Sequence, residues 1–295
     1  MPDAAGTPLQ WLEDRAIRSL IGAAMILPFD RRRALMGAAM ARVIGPLAGY
    51  GTRAQANLRK IYPDISAADR ARIARAALDN AGRTIIENYS GPDFGRALAH
   101  TRPTGPGLQA LEAARDAGRP VLFVTGHFGN HEAPRQVLTR MGYRIGGLYR
   151  PMKNPYFNAH YIRTMTEMSG PVFPRGPQGT RGFVRHLKSG GMATLLFDVH
   201  DRDGVPIPFL GHTALTSTSA ADLALRYDAL LIPYFGYRKP DGLSFSVELD
   251  APIPHDDPVG MTLSMTRSLE ARIARDPGQW FWVHRRWKGG GRPAA

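Results

Sequence analysis

Residues 120–138 read PVLFVTGHFGNHEAPRQVL. The run 120–124 is apolar and rich in β-branched and aromatic side chains, the length and composition of a strand buried on both faces. Gly126 and Gly129 flank the turn that follows, and residues 132–141 read as a helix. A buried strand that turns directly into a helix is the building unit of a parallel α/β sheet, whose sites lie beyond the carboxyl ends of its strands. Here that turn carries His127 and His131, with Glu132 entering the first helical turn.

The same texture continues downstream. YRIGGLY (143–149) reads as a strand, 155–168 and 178–188 as helices, MATLLF (192–197) as a strand and 218–227 as a helix. ALLIPYF (229–235) and LSFSVEL (243–249) read as strands, and a helix runs from about Pro258 to Arg275. The alternation predicts an α/β fold, a largely parallel central sheet flanked by helices. Upstream, HTRPTGPG (100–107) breaks this region from a helical part. Within that part, Asp64 or Ser66 is a candidate N-cap for a helix whose apolar residues recur at three- and four-residue intervals through Leu78.

From residue 11 to residue 50 the chain alternates apolar runs of about ten residues with arginines, at Arg18, in the cluster Asp30, Arg31, Arg32, Arg33, and at Arg42. A spanning helix needs about 18 to 20 uninterrupted apolar residues, so a single-span anchor is not expected. Short apolar helices edged with arginine suit an interface, with guanidinium groups among anionic headgroups. The alternative is that these helices pack on the main domain, and the two are compatible. Acidic Glu13 and Asp14 precede the apolar run, which argues against a cleaved signal peptide and for a chain that stays on the cytosolic side.

Composition bounds the chemistry. The 295 residues, 43% of them hydrophobic, suffice for one large α/β domain, and the absence of cysteine removes thiolate nucleophiles and cysteine metal sites. A formal charge of +13 points to anionic partners. Nucleic acid is not expected among them, because the chain lacks zinc-finger spacing, an aromatic RNP-like strand and basic-region heptads.

Two motifs compete in the opening stretch. HEAPR (131–135) starts like the zinc signature H-E-x-x-H, but Arg135 stands where the second histidine belongs, so no metal is expected. The other motif is His127-x-x-x-x-Glu132, in which a turn entering a helix could fold the glutamate under the imidazole. A neutral imidazole can then take a proton from a hydroxyl attacking an activated acyl group, while the carboxylate fixes the tautomer. Backbone N–H groups at the start of helix 132–141, or a nearby cation, could receive the oxyanion. On the residues alone, His127 filling a buried turn and Glu132 favouring a helix N-terminus explain the pattern equally well. His131 reads as a bystander.

HFGNHE (127–132) is similar to the H-x4-D/E motif of the glycerolipid acyltransferases. Together with YRPMKNP (149–155), LLFDVHDRDGVPIPFLG (195–211), ALTSTSAADLALRYDALLIP (214–233) and PGQWFWVHRRWK (277–288), it resembles the late (lauroyl/myristoyl) acyltransferases of lipid A biosynthesis. The resemblance implies transfer of an acyl chain from acyl carrier protein to a hydroxyl of a lipid A precursor, without metal or bound cofactor. It also implies a peripheral or monotopic place on the cytoplasmic face of the bacterial inner membrane. His127 would be the general base and Glu132 its orienter. Asp198 matches a functionally important acid, Arg150 and Asn154 a substrate-proximal block, and either Arg163 or Arg175 an important arginine. The DVHDRDG loop (198–204) departs from the commoner forms, so acceptor or chain length could differ.

The expected organisation is a membrane-associating helical segment at 1–65, an acyltransferase domain at 66–288 and a flexible tail at 289–295. Arg181, Arg185 and Lys188 fall on one helix face, and Arg285, Arg286 and Lys288 stand beside Trp282 and Trp287, a mixture common at headgroup level. Another lipid acceptor (a lysophospholipid, a phosphatidylinositol mannoside or an ornithine lipid) would suit the same base chemistry. A non-catalytic basic membrane-binding protein is the reading outside enzymology.

Overall fold

A computed structural model describes residues 6–288; the tail 289–295 lies outside them. The chain opens with α1 (Pro8–Met25), started by a capping box in which Thr7 Oγ1 accepts from the Gln10 amide and the Gln10 side chain accepts from the Thr7 amide. After α2 (Phe29–Ala39) comes a π-helical turn (Met40–Ile44) leading into α3 (Gly45–Leu47). The cause of that turn is Pro46, which has no N–H for the Arg42 carbonyl and whose ring crowds it. Then follow α4 (Tyr50–Ile61), the long α5 (Ala67–Tyr89) and α6 (Gly91–Ala97). Ser66 is the N-cap of α5, accepting from the Asp69 amide at 3.0 Å.

The α/β part begins with β1 (Pro103–Thr104), α7 (Gly107–Asp116), β2 (Val121–Thr125), α8 (Glu132–Arg140), β3 (Ile145–Tyr149), α9 (Pro155–Ser169), β4 (Val172–Pro174) and α10 (Pro177–Lys188). It continues through β5 (Met192–Leu196), the hairpin β6 (Val205–Phe209) and β7 (His212–Thr216), α11 (Ser219–Tyr227), β8 (Leu230–Arg238), β9 (Phe245–Leu249) and α12 (Pro258–Arg275). Seven strands form one sheet in the order β1-β9-β8-β2-β5-β3-β4. Five of them, β8, β2, β5, β3 and β4, run parallel, and β9 turns back antiparallel on β8. The expected mixed α/β architecture with a mostly parallel sheet is therefore present. The hairpin in residues 205–216 forms a second, two-stranded sheet that the sequence pattern did not reveal, because Pro206 and Pro208 interrupt strand periodicity.

Strand β2 shows why the opening stretch has no polar face. Leu122 and Val124 enter one core with Phe128, Phe235, Leu269 and Trp280, while Val121 and Phe123 enter another with Val137, Ile145 and Val247. Helices cover both faces, as a central parallel strand requires.

The N-terminal helices both pack and remain apolar outside. Arg32 and Arg33 are buried, Arg32 paired with Asp93 and Arg33 with Glu87 at 3.5 Å, so these two guanidinium groups do not lie among headgroups as expected. Acids of the neighbouring helices, buried Glu87 of α5 and half-buried Asp93 of α6, take them instead. Meanwhile Leu20, Ile26 and Leu47 are 73%, 85% and 85% exposed. Among the described residues, no helix is long and apolar enough to cross a membrane.

Gly129 ties β2 to the rest of the fold. Its φ is +53°, and a Cβ there would stand 1.9 Å from the Gly236 carbonyl oxygen. Gly118, at φ +64°, faces open space. Gly118→Ala should cost about 1 kcal/mol for the left-handed backbone alone, whereas Gly129→Ala adds a backbone clash and should cost about 3 kcal/mol or more. Urea unfolding of the two variants checks the contrast; equal costs would mean that the loop yields freely.

Candidate active site

Register builds the centre of the site. Strands β2 and β5 are adjacent and parallel, with Thr125 opposite Leu196. Two residues further along each strand stand His127 and Asp198, brought side by side at the carboxyl end of the sheet. His127 Nδ1 lies 2.8 Å from Asp198 Oδ1, and the His127 amide donates to Asp198 Oδ2 at 2.8 Å. Trp280 Nε1 donates to the same Oδ2 at 2.9 Å. Both carboxylate oxygens are thus held by N–H donors, and Asp198 is 1% exposed.

Distant segments secure the turn. The Phe281 amide donates to the His127 carbonyl at 3.0 Å, and the Gly129 amide to the Gln279 carbonyl at 3.0 Å. Asn80 and Thr84 of α5 donate to the Gly129 carbonyl at 2.9 and 3.0 Å. Asn130 donates to the fully buried Glu87, whose carboxylate also accepts from Arg238 at 2.8 Å. Arg286, with no exposed surface, donates to the Leu215 carbonyl at 2.7 Å and to Thr216 Oγ1 at 2.6 Å. Trp280, Trp282 and Trp287 are buried as well. The closing block VHRRWK therefore supplies core and scaffold at Arg286 and Trp287, rather than the headgroup contact expected of it.

Glu132 does not fold under the imidazole. Asn130 Oδ1 accepts from the Glu132 amide at 2.9 Å, so α8 starts at that residue and the side chain projects with the helix toward Arg135, 3.3 Å away. Arg135, buried in turn, reaches the carbonyls of Ile145, Gly170 and Pro171. The ring's carboxylate partner is Asp198 instead. The first amides of α8 are also engaged, since Glu132 and Ala133 both donate to Asn130.

Beside the dyad opens a cavity of about 490 Å³. His127, His131, Glu132, Arg150 and Arg175 line it, with Tyr161, Met165 and Val172 as apolar wall. Arg175 lies 4.0 Å from Asp201 and is largely exposed. Of the two candidate arginines, Arg175 borders the cavity, whereas Arg163 stands exposed on α9 away from its lining. Asn154 is also elsewhere: it is the N-cap of α9, accepting from the amides of Tyr156 and Phe157, and it donates to the Gln10 carbonyl at 2.7 Å. An asparagine before a proline is a ready cap, and that local bond claims the side chain.

Electrostatics acts alike on His131 and His284. Burial, reinforced by the charge of His127, pushes both His131 and His284 down to about 4, so each is neutral near pH 7. Burial alone would raise the Asp198 carboxyl, but the charge and hydrogen bonds of His127, with His284 nearby, hold it well below the usual carboxylate range. His284 packs edge-on to the His127 ring, centroids 4.5 Å apart, and its Nε2 is buried without a partner. The sequence reading passed over it and over Trp280. Their only advance signal was the resemblance of 277–288. His127, Asp198 and His284 offer ligand atoms within 4.8 Å of one another. Two of these three residues form the dyad, and Asp198 also accepts from the His127 amide and the Trp280 indole.

Among characterised proteins, the lipid A biosynthesis lauroyltransferase of Escherichia coli (strain K12) is 26% identical over 242 residues, 79% of this chain and 77% of that one. The lipid A biosynthesis palmitoleoyltransferase of the same organism is 25% identical over 251 residues, 80% and 78% of the two chains. Lipid A biosynthesis acyltransferase 2 of Shigella flexneri is 23% identical over 287 residues, 94% and 90%. The profile of the bacterial lipid A biosynthesis acyltransferases matches residues 11–289, a span that takes in the dyad, the cavity and the scaffold behind them. An acyltransferase by this relation, the chain belongs to the bacterial lipid A biosynthesis acyltransferase family.

Proposed function

We propose that the protein transfers an acyl chain from acyl carrier protein to a hydroxyl of a lipid A precursor, with His127 as general base and Asp198 as its orienter. The observation that carries this is the 2.8 Å contact from His127 Nδ1 to Asp198, which leaves Nε2 as the ring nitrogen available to a substrate in the cavity. The acceptor oxygen attacks the thioester carbonyl carbon while Nε2 takes its proton. The imidazolium that forms is stabilised by the buried carboxylate. Collapse of the tetrahedral intermediate breaks the C–S bond, and the departing sulfur takes the proton back from Nε2, restoring the neutral ring. Arg150 and Arg175 suit the oxyanion or the phosphates of the acceptor. Glu132, paired with Arg135, holds the cavity wall and α8 in place. No cofactor enters this scheme.

The segment 1–65 is proposed to hold the enzyme on the cytoplasmic face of the inner membrane, peripherally or as a monotopic protein. Exposed Leu20, Ile26 and Leu47 support this, as does the basic charge for an anionic leaflet and an acidic carrier protein. Because Arg32 and Arg33 tie α2 to Asp93 and to buried Glu87, deleting the helices would expose the core, and point changes are the cleaner probe.

His127→Ala should abolish acyl transfer in a folded protein, and Asp198→Asn should lower kcat by about two orders of magnitude or more. Glu132→Gln should reduce kcat less and lower the unfolding midpoint instead. Steady-state assays with acyl carrier protein and a defined precursor rank the three; a Glu132→Gln loss exceeding that of Asp198→Asn would reverse the assignment of the orienter. In a second test, Leu20→Asp and Ile26→Asp should each weaken partitioning to anionic vesicles by about tenfold, while kcat on detergent-dispersed substrate stays unchanged. Undiminished partitioning would show that these side chains never meet the bilayer.

A further inference from the structure

A second cavity, of about 350 Å³, lies between the π-helical turn, α4 and α5 and shares no residue with the active-site cavity. We propose that it binds the headgroup of an anionic phospholipid, a monoanionic phosphodiester of the phosphatidylglycerol type. This deepens the membrane-surface reading and rests on it.

Charge comes first. Arg42 from the π turn and Arg75 from α5 both line the cavity, together with Gln55 of α4, and no acidic side chain is among the lining residues. Neither arginine forms an ion pair among the described residues, in a protein where Arg32, Arg33, Arg83 and Arg272 all do. Two unpaired guanidinium groups at one mouth match a phosphodiester, which each can meet with paired N–H donors.

Geometry supplies the rest. Pro46 opens the helix at this point, and the small residues Ala41, Gly51, Ala71 and Ala74 leave the space. Next to Arg42 and Pro46 in the chain, Val43 of the π-helical turn and Leu47 of α3 are 54% and 85% exposed. The volume admits a headgroup and glycerol but not two acyl chains, which would lie outward along Val43 and Leu47. A free anion would satisfy the arginines and leave those apolar side chains in water; a lipid uses both.

The test uses the full chain and vesicles of phosphatidylcholine with and without phosphatidylglycerol. The key variant is Gly51→Leu, which alters no charge: a Cβ there meets only Leu78 Cδ1, at 4.0 Å, so a longer side chain grows into the cavity. Gly51→Met serves if the leucine variant proves unstable by thermal melting. The preference for phosphatidylglycerol should fall by about tenfold in the filled variant and in Arg42→Gln/Arg75→Gln, and little in the equally discharged Arg226→Gln/Lys239→Gln. An unchanged preference in the filled variant, or equal losses in the two discharged ones, would mean diffuse attraction and overturn the site. Vesicle binding that depends on Leu20 and Ile26 but not on Gly51, Arg42 and Arg75 would sink this site alone. Absence of vesicle binding would sink both it and the membrane-surface reading.

Discussion

One buried carboxylate organises the catalytic end of this molecule. Asp198 accepts the amide and the ring nitrogen of His127 and the indole of Trp280, and so joins the ends of two parallel strands to a segment far along the chain. A carboxylate without surface must find donors or become protonated. Three N–H groups satisfy it here, and in doing so they fix the imidazole's tautomer and plane before any substrate arrives. Preorganisation of that kind, rather than special reactivity of any one side chain, is what the proposed role of His127 as general base would draw on.

Behind the dyad stands a second buried acid. Glu87 of α5 gathers Arg33 from α2, Arg238 from β8 and Asn130 from the active-site turn. The N-terminal helices and the catalytic turn therefore share one polar network. Removing any partner would leave uncompensated charge in the interior, which is costlier than losing an exposed pair. This coupling explains how helices with exposed apolar side chains can also be integral to the domain.

Much of the fold was legible because its signals are strong. The largely apolar stretches at 120–124 and 192–197 read as buried strands, and the glycines around His127 marked the turn. What resisted reading was direction. A histidine and a glutamate five residues apart look like a pair until one knows that Asn130 Oδ1 takes the Glu132 amide and that the Glu132 side chain meets Arg135. The true partner lies 71 residues away, and only strand register brings it near. Arginines were the other difficulty. Composition cannot distinguish Arg286, buried on backbone carbonyls, from Arg175, exposed at the cavity, since burial depends on acceptors supplied by distant loops. Asn154 stands outside the cavity lining for a local reason, its bonds to the helix it begins.

The contribution of residues 279–286 has a consequence for biosynthesis. The Gln279 carbonyl, the Trp280 indole, the Phe281 amide and the Arg286 guanidinium together brace the turn, the dyad and the end of β7. A ribosome delivers His127 and Asp198 long before any of these. Until translation has passed Arg286 and that segment has emerged, the nascent polypeptide can pair its central strands yet has neither the indole that completes the Asp198 shell nor the strut on Thr216. Order around Asp198 is therefore completed late: the two strand ends can meet early, but the shell that holds them waits for residues 279–286.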